Sequence, residues 1–128
     1  MVRRISEWLG ASFVVLDEVE GRGEVRLKLV SPSLLLFPTP KAGELAERML
    51  QFEWGDFFFF RSRQDALGIS PDDSLPTRVN KSLVTIRCVD NTYFYFYGTD
   101  LEIQKILQDR LEIDEEKEGG LENLDYPF

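Results

Sequence analysis

The stretch Leu83-Val84-Thr85-Ile86-Arg87-Cys88-Val89-Asp90-Asn91-Thr92-Tyr93-Phe94-Tyr95-Phe96-Tyr97 decides the fold class. Two runs rich in β-branched and aromatic residues, Leu83 to Val89 and Thr92 to Tyr97, flank Asp90-Asn91, a pair that accepts tight turns. They read as antiparallel strands joined by a hairpin. Within the second run Tyr93, Tyr95 and Tyr97 share one face, while Phe94 and Phe96 share the other. Gly98 ends that strand. Thr99 then opens a capping box with Glu102, and Leu101, Ile103, Ile106, Leu107 and Leu111 give the next helix its apolar side.

Upstream, the chain alternates between the same two kinds of element. Val2, Ile5, Trp8 and Leu9 fall on one helical face that Gly10 can end. Ser12 to Glu18 reads as a strand, Glu20-Gly21-Arg22-Gly23 as its hairpin turn, and Val25, Leu27 and Leu29 as a strand with one wet face. Leu34 to Phe37 makes a short buried strand. Thr39-Pro40 signals a helix start, with threonine as cap and proline in the first turn. Ala42, Leu45, Ala46, Met49 and Leu50 form the stripe of that helix, which should fade near Trp54-Gly55. Phe57 to Phe60 fits strand or helix equally, Arg61 to Leu67 a short helix stopped by Gly68, and Ser70 to Pro76 a turn.

Strands interspersed with helices and joined mostly by hairpins give the α+β class. We expect one small domain over residues 1–111, a mainly antiparallel sheet of about five strands packed by about three helices. Residues 112–128 form an acidic C-terminal tail. The whole chain of 128 residues carries a net charge of −8. Seven acids from Glu112 to Asp125 stand against Lys117 alone, so the tail holds −6 and the preceding 111 residues only −2.

Composition excludes several kinds of chemistry. With no histidine there is no His-based triad, His metal ligand or His general base. One cysteine forbids an intramolecular disulfide and a structural zinc site. Acidic charge argues against direct nucleic-acid binding, which needs a surplus of cations. No segment approaches the roughly 20 apolar residues of a membrane helix. Arg3 and Arg4 ahead of Trp8 and Leu9 resemble a targeting signal, but Glu7 and Asp17 interrupt the stretch and no cleavage site follows. A lone cysteine fits the reducing cytoplasm, where we expect the protein. We expect no cofactor and no metal: Asp72-Asp73 and the tail acids lack the spacing of a calcium loop, and Gly21-Arg22-Gly23 is too short to cradle a phosphate.

Four features remain as carriers of function, each with a plainer alternative. Tyr93, Tyr95 and Tyr97 form a ladder that can bind a partner, since tyrosine offers large contact area at low entropic cost; or both faces of their strand are simply covered. Trp54-Gly55-Asp56 before Phe57 to Phe60 can wall a small-molecule pocket or pack a core. Arg61, Arg63, Arg78 and Arg87 could converge on an oxyanion, or lie scattered and paired with Asp65, Asp72 and Asp73. In the tail, Glu115, Glu116, Glu118, Leu121, Leu124, Tyr126 and Phe128 combine charge with spaced apolar anchors, as a partner-docking motif or a solubilising end would. Cys88, inside a strand without an activating base, reads as an inert buried thiol.

The expected function is that of a non-catalytic module that binds another protein, as an inhibitor, immunity-type protein, assembly factor or adaptor. The surfaces that would carry it are the tyrosine face and the acidic tail, and a basic partner would be favoured electrostatically. Two alternatives stand beside it: an acidic mimic of nucleic acid that blocks a nucleic-acid-binding protein, and a small ligand-binding domain or enzyme that works without histidine. Homodimerisation through an exposed strand edge is open to any of these.

Overall fold

The computed structural model describes residues 2–23, 27–28, 34–89 and 93–112. The elements run α1 (Val2–Leu9), β1 (Phe13–Gly23), β2 (Leu27–Lys28), β3 (Leu34–Pro38), α2 (Thr39–Glu47) and β4 (Met49–Phe60). Then follow α3 (Arg63–Leu67), α4 (Leu75–Lys81), β5 (Val84–Val89), β6 (Tyr93–Tyr97) and α5 (Leu101–Arg110). The protein is α+β, with one six-stranded sheet in which every pairing is antiparallel. Six strands and five helices among the described residues exceed the expected five and three.

α1 ends as Gly10 suggests. Its φ of 64° lets the amides of Gly10 and Ala11 fold back onto the carbonyls of Glu7 and Ser6, which closes the last turn. The chain then enters β1, the centre of the sheet. One side of β1 pairs with β2 and β3, the other with β4 over most of its length. β3 and β4 thus flank β1 and run parallel to one another, with α2 as the crossover between them. β4, β5 and β6 continue the sheet in sequence order.

Five local expectations are corrected here. Glu20 to Gly23 do not turn; they stay in β1, which pairs with β2 through Glu20–Lys28 and Gly21–Leu27. Met49 and Leu50 do not extend α2, which stops at Glu47, so that Met49 to Gly55 belong to β4. The long ladder with β1 outweighs a helical spacing that happens to continue. Thr39 does not cap α2: it is already helical, and its hydroxyl donates to the Ala11 carbonyl at 3.3 Å while its amide donates to Ser12. At the last helix the cap is Asp100, one residue after Thr99, accepting from the amides of Glu102 and Ile103. α4, read as turn from sequence, starts at the Ser74 cap with Pro76 in its first turn.

Phe57 to Phe60 are strand, and their alternation builds both cores. Phe57 and Phe59 point to the face covered by α1, α2 and α5, among Ile5, Leu9, Val14, Leu16, Val84, Ile86, Ile103 and Leu107. Phe58 and Phe60 point to the opposite face, with Val15, Ala66 and Ile69. The sheet is therefore the middle of three layers, which is what four consecutive buried aromatics require. No helix among the described residues is long and apolar enough to cross a membrane.

Candidate functional site

The face beneath α3 and α4 carries an ionic row in register across the sheet. Asp17 of β1 lies opposite Asp56 of β4, Asp56 opposite Arg87 of β5, and Arg87 opposite Tyr95 of β6. Arg87 clasps Asp56 in a two-pronged pair, Nε to Oδ1 at 2.7 Å and Nη2 to Oδ2 at 2.8 Å. Arg78 descends from α4, donates to the Asp17 carboxylate and to the Pro71 carbonyl, and spreads its guanidinium 6.0 Å from the centre of the Phe58 ring. All four charged side chains are buried. Two carboxylates on directly opposed residues would repel, and the two arginines neutralise them.

Backbone irregularity positions the row. After the Asp17–Asp56 pair, β1 holds one more residue than β4 before Glu20 meets Trp54, a bulge that turns Val19 into the core. Gly55 makes room for it: its φ is 141°, and a Cβ there would lie 2.6 Å from the Val19 backbone.

β6 forms one margin of the sheet. Among the described residues it pairs with β5 alone, in unbroken register from Val89–Tyr93 to Thr85–Tyr97. Phe96 packs into the larger core, whereas Phe94 is 43% exposed. Tyr95 and Tyr97 lie on the opposite face, their rings stacked with centroids 6.5 Å apart; Tyr95 is half-buried and Tyr97 buried. The three tyrosines thus share a strand without forming a uniformly open ladder. The opposite margin differs, because β3 ends in Pro38, which has no amide to offer.

A cleft opens beside Phe94. Phe57, Phe59, Ile86 and Cys88 make its floor, Ala46 one wall, and the exposed Arg3–Glu47 ion pair, at 3.2 Å, sits at its side. Its volume is about 120 Å³. That matches one aromatic or branched side chain, and is well below the roughly 300 Å³ at which cofactor and metabolite pockets begin. Burial first, and then the charge of Asp56, pushes the Cys88 thiol up to about 12, so it stays protonated and unreactive at neutral pH.

The four arginines do not converge. Arg61 and Arg63 are exposed, whereas Arg78 and Arg87 are buried and hold Asp17 and Asp56 instead of Asp65, Asp72 and Asp73. Asp73 pairs with Lys81 at 2.9 Å. The sequence places Asp56 only as the polar insertion of an aromatic cluster and Asp17 only as a break in an apolar stretch, not as partners of Arg87 and Arg78. Each adjoins an apolar run, Val14 to Leu16 or Phe57 to Phe60, and that position was the available signal. Glu115, Glu116, Glu118, Leu121, Leu124, Tyr126 and Phe128 lie outside the described residues, as does the acidic tail after Glu112. Compared with protein-family models, with curated proteins and with solved structures, the chain shows no match.

Proposed function

We propose that this chain works by binding another protein, without catalysis, and that the partner docks along the β6 margin. The observation that supports this is the character of that margin among the described residues. Natural edge strands are guarded by lysine, proline, a bulge or a covering element. β6 has no charged residue, no proline and no bulge, and it presents the exposed Phe94. An added strand would gain main-chain hydrogen bonds along β6, with the neighbouring cleft sized for one anchoring side chain. The buried acids favour the same reading, since Asp17 and Asp56 are engaged by arginines and not turned towards a substrate.

The acidic segment from Glu112 onward belongs to this reading as a steering device for a basic partner, which makes the association salt-sensitive. An inhibitor, immunity-type, assembly or adaptor role in the cytoplasm fits such a module. The cleft supports one second reading, a site for a small apolar ligand, which thermal shift against such compounds would detect.

The deciding experiment is a pull-down with three baits: the full chain, Phe94→Lys, and a truncation after Leu111. A partner identified with the full chain is then purified and bound again in isolation. Loss with Phe94→Lys alone supports the β6 margin, and loss with the truncation alone moves the site to the tail. Folded baits that retain no partner at low salt would sink the proposal.

A further inference from the structure

We infer that the strand docking on β6 is β6 of a second copy of this chain, paired antiparallel about a twofold axis through Tyr95. This rests on the reading of β6 as a docking edge, and names its occupant. The segment Tyr93-Phe94-Tyr95-Phe96-Tyr97 is a palindrome. An antiparallel partner reads it backwards, so Tyr95 meets Tyr95, Phe94 meets Phe96 and Tyr93 meets Tyr97. A twofold axis normal to the sheet keeps each face in place. Phenylalanine then extends phenylalanine on the side of the larger core, and tyrosine extends tyrosine on the other. Aromatic pairs directly opposite are among the favourable cross-strand combinations. The exposed Phe94 gains a ring beside it, and the six-stranded sheet runs on into its twin.

Charge is compatible with this surface. A chain of net charge −8 repels its copy, and like charges at the contact would add to that repulsion. β6 contains none, so only the long-range repulsion remains, and salt screens that. A self-pair therefore tightens as ionic strength rises, whereas a basic partner steered by the acidic segment is weakened. A junction of five residues is small, and the dimer should be concentration-dependent.

Sedimentation of the full chain, from about 1 µM to about 1 mM, tests it across the range where small interfaces dissociate. The expected result is a doubled mass at high concentration, favoured by salt, with at least about tenfold weaker association for Phe94→Lys, a change of about 1.4 kcal/mol. Phe94 is exposed, so that variant should fold, which its melting temperature checks. Oxidation gives a second readout. Antiparallel partners at Tyr95 would have Cα atoms about 4.5 to 5.5 Å apart, inside the roughly 4.4 to 6.8 Å that a disulfide spans. Tyr95→Cys should cross-link to a dimer, while Lys105→Cys on α5 and the wild type, with its buried Cys88, should not. A monomer at every concentration without cross-linking overturns the second copy, and so does a dimer indifferent to both substitutions. If the monomer still loses a purified partner on Phe94→Lys, the docking edge stands with a different occupant; if it does not, both readings fall.

Discussion

Arg87 and Asp56 face one another across the β4–β5 pair and are joined by two hydrogen bonds of 2.7 and 2.8 Å, with both side chains out of water. Removing one member leaves the other as a buried charge without its counterpart, which costs about 3 to 5 kcal/mol. Asp56→Ala should therefore unfold at markedly lower urea. The pair Asp56→Leu with Arg87→Met should recover most of that loss, because two apolar side chains remove both desolvation costs together. Equal destabilisation by single and double variants would show that the pair is not coupled.

Arg78 performs three tasks with one planar group: it binds Asp17, satisfies the Pro71 carbonyl and lies over Phe58. Lysine keeps the charge but has neither the fork nor the flat face. Arg78→Lys should lose roughly 2 kcal/mol, the worth of a charge-assisted hydrogen bond, by denaturant titration. Full retention of stability would mean that charge alone matters there.

Gly10 and Gly55 both have positive φ, yet they should respond differently to alanine. At Gly10 nothing lies within 4 Å of an added Cβ, so only the backbone preference is lost, about 1 kcal/mol. At Gly55 the same Cβ would meet Val19 at 2.6 Å, and the loss should reach about 3 kcal/mol or more. Melting temperatures of the two variants compare them directly. Similar values would argue against the tight β1 bulge.

Cys88 gives the protein an alkaline sensitivity. Its thiol ionises near 9 when unfolded and near 12 when folded, so its contribution is intact below pH 9 and is lost as pH rises towards 12. At pH 10 the loss is about 1.4 kcal/mol relative to neutral pH. Cys88→Val should flatten that part of the stability profile, and the native thiol should resist alkylation at pH 8. Rapid labelling without unfolding would contradict its burial.

The hairpin of β5 and β6 was legible because composition, alternation and turn residues agreed, and α1 because its apolar spacing ended at a glycine. β4 was harder. Ala42 to Leu50 keep a helical spacing through Arg48, where no glycine or proline marks the stop, and only the ladder with β1 ends the helix there. α4 carried a readable start in Ser74 and Pro76, hidden among residues that also suit turns. The ionic row lay beyond local reading altogether. Arg78 is 61 positions from Asp17 and Arg87 is 31 from Asp56, distances that only the strand order closes. The β6 margin was half-visible: the sequence showed an uncharged aromatic strand, but not that it pairs with β5 alone among the described residues.

Phe57 to Phe60 send alternate rings into both layers, so each helical layer covers part of the same strand. Neither layer can open far without exposing side chains that also anchor β4 from behind. The backbone amides of Phe58 and Phe59 should consequently exchange with deuterium only through opening of the whole domain, and their protection measures its global free energy. Terminal turns of the helices exchange through smaller events. The run of four aromatics should thus make the two layers a single cooperative unit, expected to melt in one step.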